Sequence, residues 1–436
     1  MKLRSVAGLV ALSLVALLLS TEGGVAQADL PMAKAETVGV STKRLERVKT
    51  FIQDYIDTNQ IAGAVTLIGR KGKVVHYEAQ GWRYKEENQP MTRDTIFTLM
   101  SMTKPIVSTA LMMLWEDGKF MLDDPISKWL PSYANKMVLD NGLMVPAARP
   151  VTVRHVLTHT SGLSLTLPRA PEVVTEGRPA PTVIPPTRAA TLAEMVDRAA
   201  SYPLAFHPGD RWQYGDSTDY VAILVEKMSG MSIDEFLKKR IFEPLGMRDT
   251  HYNVPQEKVN RTAAVYRPDA SGKIQLLRKP EFREPTFGRG IAGLSGTASD
   301  YFKFAQMLLN GGEYNGQRLL GRMTVDMMFA NHVGTGPNKR NTVRGDGYGF
   351  GLGGAVLSDP SKAIDALSIG TWSWGGAYGT IFWIDPVEEL IPIMLIQITP
   401  YTHFNIRPLF SVVASQTVID TLADQKPKVM GYDTPR

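Results

Sequence analysis

The order in which hydrophobic periodicities change along the chain constrains its fold most. Leu45, Val48, Phe51, Ile52, Tyr55 and Ile56 recur at helical spacing, with Lys43, Arg44, Glu46 and Asp54 on the opposite face, which predicts an amphipathic helix. Two short runs rich in branched residues follow, 61–68 and 74–77, separated by Gly69-Arg70-Lys71-Gly72. This reads as a hairpin. From about residue 98 to about 250 the pattern is mostly helical, over 101–116, 192–200, 220–228 and 233–241. Strand patterns then return at 348–356, 381–384 and 390–398, and a helical pattern closes the chain at 408–422. Strand-rich ends around a helical middle predict an α/β lobe made from residues 29–97 and 290–436, with a mainly helical lobe, 98–289, inserted between them. Within the insert, residues 165–187 hold six prolines and no periodicity, so a long loop is expected there, a surface excursion or a flap beside a pocket.

The first residues stand apart. Lys2 and Arg4 precede a fourteen-residue apolar run, 6–19, and the small-residue site Ala26-Gln27-Ala28. This predicts a secretory signal occupying residues 1–28 and cut after Ala28, because the run is shorter than the roughly 20 apolar residues that span a bilayer. The mature protein is then expected in the periplasm or secreted, with no stable membrane insertion. The longest later apolar stretch, 391–396, suits a buried strand.

Composition removes several kinds of chemistry. The 436 residues include no cysteine, which leaves no thiol nucleophile, no cysteine-ligated metal and no disulfide. A nucleophile must therefore be an oxygen or an amine. The 48 basic and 43 acidic residues are interspersed, so the net charge of +5 gives no sign of a nucleic-acid partner.

Three stretches carry candidate chemistry. In Ser101-Met102-Thr103-Lys104-Pro105, proline is comfortable only in the opening turn of a helix, which places Ser101 at the helix N-terminus. Free amides and the helix dipole favour a negative oxygen there, and Lys104, three residues on, shares a face with Ser101. A lysine taken out of water surrenders its proton more readily and becomes a base. Next, Pro208-Gly209-Asp210-Arg211-Trp212-Gln213-Tyr214-Gly215-Asp216-Ser217 is a loop that could hold the Tyr214 hydroxyl against Ser101 and Lys104. Last, Ser373-Trp374-Gly375-Gly376-Ala377-Tyr378-Gly379-Thr380 leads into the apolar run 381–384, where glycines mark the close approach of a ligand or another backbone. The Ala377 amide there could join that of Ser101 in holding an oxyanion, a contact worth about 3 to 4 kcal/mol in the transition state.

In this order the three stretches resemble the penicillin-binding-protein and serine β-lactamase superfamily, and within it the class C β-lactamases and the family VIII carboxylesterases. Further matching stretches are Val151-Thr152-Val153-Arg154-His155-Val156-Leu157-Thr158-His159-Thr160-Ser161-Gly162-Leu163, Phe242-Glu243-Pro244-Leu245-Gly246-Met247-Arg248-Asp249-Thr250, and Gly293-Leu294-Ser295-Gly296-Thr297-Ala298-Ser299-Asp300. The resemblance covers roughly residues 40 to 424. It implies an α/β (α+β) fold of the β-lactamase/transpeptidase type, an antiparallel sheet flanked by N- and C-terminal helices with the all-helical lobe inserted. It also implies Ser101 as acylated nucleophile, Lys104 as its proton partner and Tyr214 as the base that activates water. No cofactor is implied.

Two departures from the family pattern bear on substrate. The Lys-Thr-Gly box falls on Trp374-Gly375-Gly376, and Tyr-x-Asn on Tyr214-Gly215-Asp216. The cation that would bind the carboxylate of a β-lactam or peptide is absent from the box, and Asp216 puts negative charge where an amide would hold the acyl side chain. The expected activity is hydrolysis of small-molecule carboxylic esters, leaning to neutral ones with an apolar acyl or alcohol part, through a Ser101 acyl-enzyme, with Trp374, Gly375, Gly376 and Asp216 lining the substrate. A β-lactamase or D-amino-acid peptidase on the same machinery is the alternative, and a catalytically silent cell-wall-binding protein the third.

Other chemistries find little support. His155 and His159 are four apart, as zinc ligands can be, but Val156 stands where a metalloprotease has its glutamate. Both are therefore expected to be structural, and no metal is expected. Gly-x-Ser-x-Gly and the Gly-x-x-x-x-Gly-Lys phosphate loop are both missing.

Overall fold

The computed structural model describes residues 30–140, 143–165, 189–334, 336, 338, 341 and 343–420. The expected signal segment lies outside the described residues, as does the proline-rich loop beyond Leu165.

Helix α1 (Thr42–Asp57) begins where the Ser41 hydroxyl accepts the Arg44 amide at 3.3 Å, and it buries the stripe Leu45, Val48 and Ile52. Strands β1 (Gly63–Arg70) and β2 (Lys73–Tyr84) form the expected hairpin. Its two turn residues, Lys71 and Gly72, both have positive φ, 49° and 72°, the twist that suits a two-residue hairpin loop. A short β3 (Gln89–Pro90) pairs with β2 at the sheet edge.

The middle of the chain is mostly helical, though not wholly as expected, since Met137–Asp140 pairs with Leu143–Pro146 and Val265–Pro268 with Ile274–Arg278 in two small antiparallel ribbons. It contains α2 (Thr103–Glu116), α3 (Val153–Leu157), α4 (Leu192–Ala199), α5 (Ser217–Ser229) and α6 (Ile233–Leu237). The periodicity at 233–241 predicts one helix, but α6 ends at Leu237 and a wider π-helical turn follows, Lys238–Phe242. Helix α2 is buried at every position from Thr103 to Leu114, which only a helix surrounded by protein can be. Helix α7 (Ala298–Leu309) follows, and its Tyr301 hydroxyl donates to the Met102 carbonyl at 3.0 Å.

The remaining strands of the large sheet are β4 (Tyr348–Phe350), β5 (Ala355–Leu357), β6 (Trp372–Gly375), β7 (Ile381–Ile384) and β8 (Leu390–Leu395), with α8 (Ile406–Ser415) last. The pattern at 348–356 predicts one strand, yet two form. Glycines break it: a Cβ on Gly351 would lie 2.2 Å from the Met328 carbonyl oxygen, and one on Gly353 would lie 2.4 Å from the Ser108 side chain.

The sheet order is β4-β5-β6-β7-β8-β1-β2-β3, antiparallel throughout. The β1–β8 seam, with Val65 opposite Leu395, joins the two ends of the chain. Both faces are covered. Phe382 meets Tyr301 of α7 with ring centres 4.7 Å apart, whereas the next residue, Trp383, meets Phe410 of α8 at 5.6 Å. Neighbours on a strand point to opposite faces, so α7 covers one face and α8, packed beside α1, the other. This explains why every residue of β1 and β8 is buried.

Candidate active site

Ser101 lies in one 3₁₀ turn, Met100–Met102, directly ahead of α2. Pro105 occupies the opening turn, as its missing amide requires. The backbone enters this turn under strain, because Met100 has φ +50°, a left-handed conformation costing a non-glycine residue about 1 to 2 kcal/mol. Leu99 holds it from two sides. Its amide donates to the Leu294 carbonyl at 2.9 Å, and its carbonyl accepts the Thr380 hydroxyl at 3.4 Å.

Lys104 is 3% exposed. Its ammonium donates to the Ser101 hydroxyl at 3.2 Å and to the Ile291 carbonyl at 2.8 Å, and lies 4.7 Å from the centre of the Tyr214 ring. Three segments far apart in sequence thus meet around one nitrogen. The Tyr214 hydroxyl is buried and has no hydrogen-bond partner among the described residues, so it bonds to neither Ser101 nor Lys104. Aromatic neighbours fix its ring: His159 at 5.0 Å, Trp374 at 5.1 Å and Trp212, stacked, at 6.3 Å.

The glycines after Trp374 mark close approaches. A Cβ on Gly376 would lie 2.3 Å from the Leu99 carbonyl oxygen, and one on Gly375 would lie 3.0 Å from the Arg407 guanidinium carbon. The first contact seats the β6–β7 turn against the residue two positions before Ser101. In that turn Gly376 donates to the Thr380 carbonyl at 2.8 Å and Gly379 to Gly376 at 3.1 Å, whereas the Ala377 amide makes no backbone hydrogen bond among the described residues. Arg407, from α8, braces the turn, donating to the carbonyls of Gly376 and Thr380, the latter at 2.7 Å. Burial lowers its guanidinium to about 10.

Two positions expected to line the substrate have other neighbours. Trp374 is 2% exposed, with its ring against Tyr214 and, edge-on at 5.3 Å, against Phe350. It forms a wall of the box that positions Tyr214. The Asp216 carboxylate accepts the Leu165 amide at 3.0 Å and the Ser164 hydroxyl at 3.4 Å. It thereby ties down the backbone that enters the proline-rich stretch.

The histidines have distinct settings. His155 Nδ1 accepts the Thr152 amide at 3.1 Å, closing a capping box at the start of α3. His159 is caged by Trp212, Tyr214 and Phe350. Burial and then the Lys104 ammonium hold its imidazole well below the ordinary range, so the ring is neutral. Among the described residues, no cluster of three acidic or histidine side chains could hold a metal.

Sequence reasoning missed the support beneath Lys104. Asp219, on α5, is fully buried. One carboxylate oxygen accepts the amides of Gly290 at 2.8 Å and Ile291 at 3.2 Å, and the other pairs with the Arg289 guanidinium. Burial pushes the Asp219 carboxyl upward, while Arg289 and the Ile291 amide favour its ionised form. Asp219 therefore fixes the loop whose Ile291 carbonyl receives Lys104. Gly290 is obligatory in that loop, since a Cβ would lie 1.8 Å from the Thr218 carbonyl oxygen. The available signal was one acid inside the apolar run of α5, five residues after Tyr214.

A serine at the mouth of a buried helix, a dehydrated lysine one turn on and a free amide at the edge of an antiparallel sheet define a serine hydrolase. The chain belongs to the beta-lactamase family, whose family model matches residues 48–410. It is similar to esterase EstB of Burkholderia gladioli, 30% identical over 367 residues that cover 80% of this chain and 89% of that protein. It is also similar to lovastatin esterase of Penicillium rubens, 32% identical over 388 residues that cover 80% of this chain and 92% of that protein. Among solved structures, EstCE1, described as a hydrolase with promiscuous acyltransferase activity, superposes with a TM-score of 0.71 at 27% identity, covering 86% of this chain and 98% of that one. The chain is accordingly a carboxylesterase-like serine hydrolase of the β-lactamase fold. No helix among the described residues is long and apolar enough to cross a membrane.

Proposed function

We propose that the protein is an exported esterase working through a Ser101 acyl-enzyme. The observation that carries this reading is the buried Lys104 ammonium, 3.2 Å from the Ser101 hydroxyl and against the Tyr214 ring. In the first half-reaction Ser101 Oγ bonds to the ester carbonyl carbon, and its proton passes into the Lys104–Tyr214 pair, which must enter the step one proton short, as free amine beside phenol or as ammonium beside phenolate. The carbonyl oxygen, now negative, takes the amides of Ser101 and Ala377. The carbon–oxygen bond to the alcohol then breaks, and the alcohol leaves with the proton. In the second half-reaction water gives a proton to the same pair and attacks the acyl carbon, the bond from that carbon to Ser101 Oγ breaks, and the pair returns the proton to Oγ as the acid leaves. A buried hydroxyl left unpaired costs about 1 to 3 kcal/mol, so the bare Tyr214 hydroxyl supports a role in which a reacting oxygen is its partner. Export rests on the basic, apolar and small-residue order of residues 1–28.

Esters are favoured over β-lactams because Trp374 places an uncharged, buried ring where the family's cation would stand. The mature protein is incubated with a short-chain nitrophenyl ester and a chromogenic cephalosporin, alongside Ser101→Ala, Lys104→Ala and Tyr214→Phe. Ester turnover that each substitution cuts by at least about a hundredfold is the expected result. Turnover untouched by Ser101→Ala would refute the mechanism. Fast cephalosporin turnover with negligible ester turnover would assign a β-lactamase. No turnover and no covalent labelling of Ser101 would assign a silent binding protein.

A further inference from the structure

A cavity of about 400 Å³ lies against the segments that flank the nucleophile, bounded by Thr98 and Met100 on one side and Ala292 and Gly293 on another. That volume falls in the range of ligand pockets. Met100 directly precedes Ser101, and Ala292 directly follows the residue that receives Lys104. The far wall, 278–289, is rich in charge. Two of its arginines have carboxylate partners: Arg283 lies 3.6 Å from Glu281, and Arg289 pairs with Asp219.

Arg278 differs. Its guanidinium donates to the Thr98 hydroxyl at 3.4 Å and lies 5.7 Å from the centre of the Tyr378 ring, and no carboxylate is within ion-pair distance among the described residues. Thr98 is three residues before Ser101, and Tyr378 follows Ala377. Both anchors therefore flank the reacting centre. The side chain is largely withdrawn from water, and burial lowers its guanidinium below the ordinary arginine range. Glu281 acts on it only from beyond ion-pair distance, so the guanidinium has no direct carboxylate partner among the described residues, and a planar guanidinium on a cavity wall matches one class of partner best, a carboxylate taken up by two parallel hydrogen bonds.

We infer that this cavity is a substrate subsite in which Arg278 binds a carboxylate carried by the ester, so the preferred substrates are half-esters of dicarboxylic acids or esters bearing an acidic alcohol part. The inference rests on the acyl-enzyme reading above and narrows its substrate class. The cation missing from the sequence box at Trp374 is supplied from another strand and on another wall, which moves the recognised anion away from the buried tryptophan and over Met100.

The test compares esters matched in length. Mono-4-nitrophenyl glutarate against 4-nitrophenyl pentanoate places the carboxylate on the acyl part. 4-Acetoxybenzoate against its methyl ester places it on the leaving part. The wild-type enzyme is expected to prefer the anionic member of at least one pair by about tenfold to a hundredfold in kcat/KM, the range set by one charge-assisted contact. Most of the preference is expected to sit in KM and to shrink as salt is added. Arg278→Gln is expected to abolish the preference, and Arg278→Lys to retain part of it because charge survives without the fork. Because the readout is a ratio within each enzyme, a variant that folds poorly does not mimic the result. Equal turnover of both members of both pairs by the wild type, or a preference that Arg278→Gln leaves intact, overturns the subsite while leaving the esterase standing. Failure to hydrolyse any of the four esters, with Ser101 unlabelled, overturns the acyl-enzyme reading and the subsite with it.

Discussion

Asparagine in place of Asp219 tests how the lysine beside Ser101 is held. The carboxylate accepts two backbone amides, at 2.8 and 3.2 Å, and neutralises Arg289, all at a position with no exposure. The Asp219→Asn side chain would keep the volume but offer a single acceptor oxygen, and its NH₂ group would face either the amides or the guanidinium as a second donor. Breaking a buried ion pair from one side costs about 3 to 5 kcal/mol. The Arg289 side chain is 36% exposed, so water takes over part of its solvation, and the lower end, about 3 kcal/mol, is expected. A second effect reaches the chemistry. If the 289–291 loop relaxes, the 2.8 Å contact from Lys104 to the Ile291 carbonyl is lost, and a hydrogen bond to a charged group is worth about 1.5 to 3 kcal/mol. The expected loss in kcat on a nitrophenyl ester is thus about tenfold to a hundredfold, with KM changed much less. The assay pairs thermal unfolding with kcat normalised to Ser101 that can be labelled covalently, so unfolded protein does not count. An Asp219→Asn enzyme that melts early yet turns over normally per labelled site would refute the positioning role. One that melts like the wild type would refute the energetics as well.

Other substitutions follow from the same contacts. Gly290→Ala drives a methyl group to within 1.8 Å of the Thr218 carbonyl oxygen, so either the loop moves and activity collapses or the soluble yield does; normal turnover in a normally folded Gly290→Ala enzyme would contradict the close packing. Trp374→Lys, which restores the family's cation in sequence, puts an ammonium into the aromatic box of Tyr214 and Phe350. It is expected to cost at least the roughly 3 kcal/mol of removing a buried tryptophan, with no gain in cephalosporin turnover, and chemical denaturation together with a cephalosporin assay checks both. For pH, His76 is buried against Thr66, and burial lowers its imidazole from 6.5 to about 4. Between those values the unfolded chain binds a proton that the folded chain does not, so stability is full above pH 6.5 and falls as pH drops toward about 4, by up to about 3 kcal/mol. Urea unfolding at pH 7 and pH 4.5 measures it, and His76→Gln is expected to flatten the dependence.

Local periodicity was sufficient for much of this molecule. The spacing of Leu45, Val48 and Ile52 fixes the buried stripe of α1, and the Lys71-Gly72 turn fixes the first hairpin, because both depend on residues within a few positions of one another. The same holds for Ser101 and Lys104. Their separation of one helical turn and the proline after them suffice to bring the ammonium to the hydroxyl. Where locality fails, so does the reading. Glycines at 351 and 353 split an apparent strand because of what packs against them from Met328 and Ser108, which no pattern within 348–356 contains.

The chemistry of the site divides along the same line. By itself the sequence offered Ser101, Lys104 and Tyr214 as candidates, the first two by their spacing at the start of a helix and the tyrosine, with the role of each, by the resemblance of the three stretches to one family. Only the tertiary structure decided what surrounds them. It turned Trp374 toward Tyr214, gave Asp216 to the 164–165 backbone, ran the support of Lys104 through Ile291 to Asp219, and set Arg278 beside Thr98 and Arg407 behind the turn that carries Ala377. The physical reason is range. A helix or turn is set by bonds spanning three or four residues, whereas the cation over a cavity and the carbonyl under a lysine arrive from segments nearly two hundred residues away, placed by the packing of the whole core.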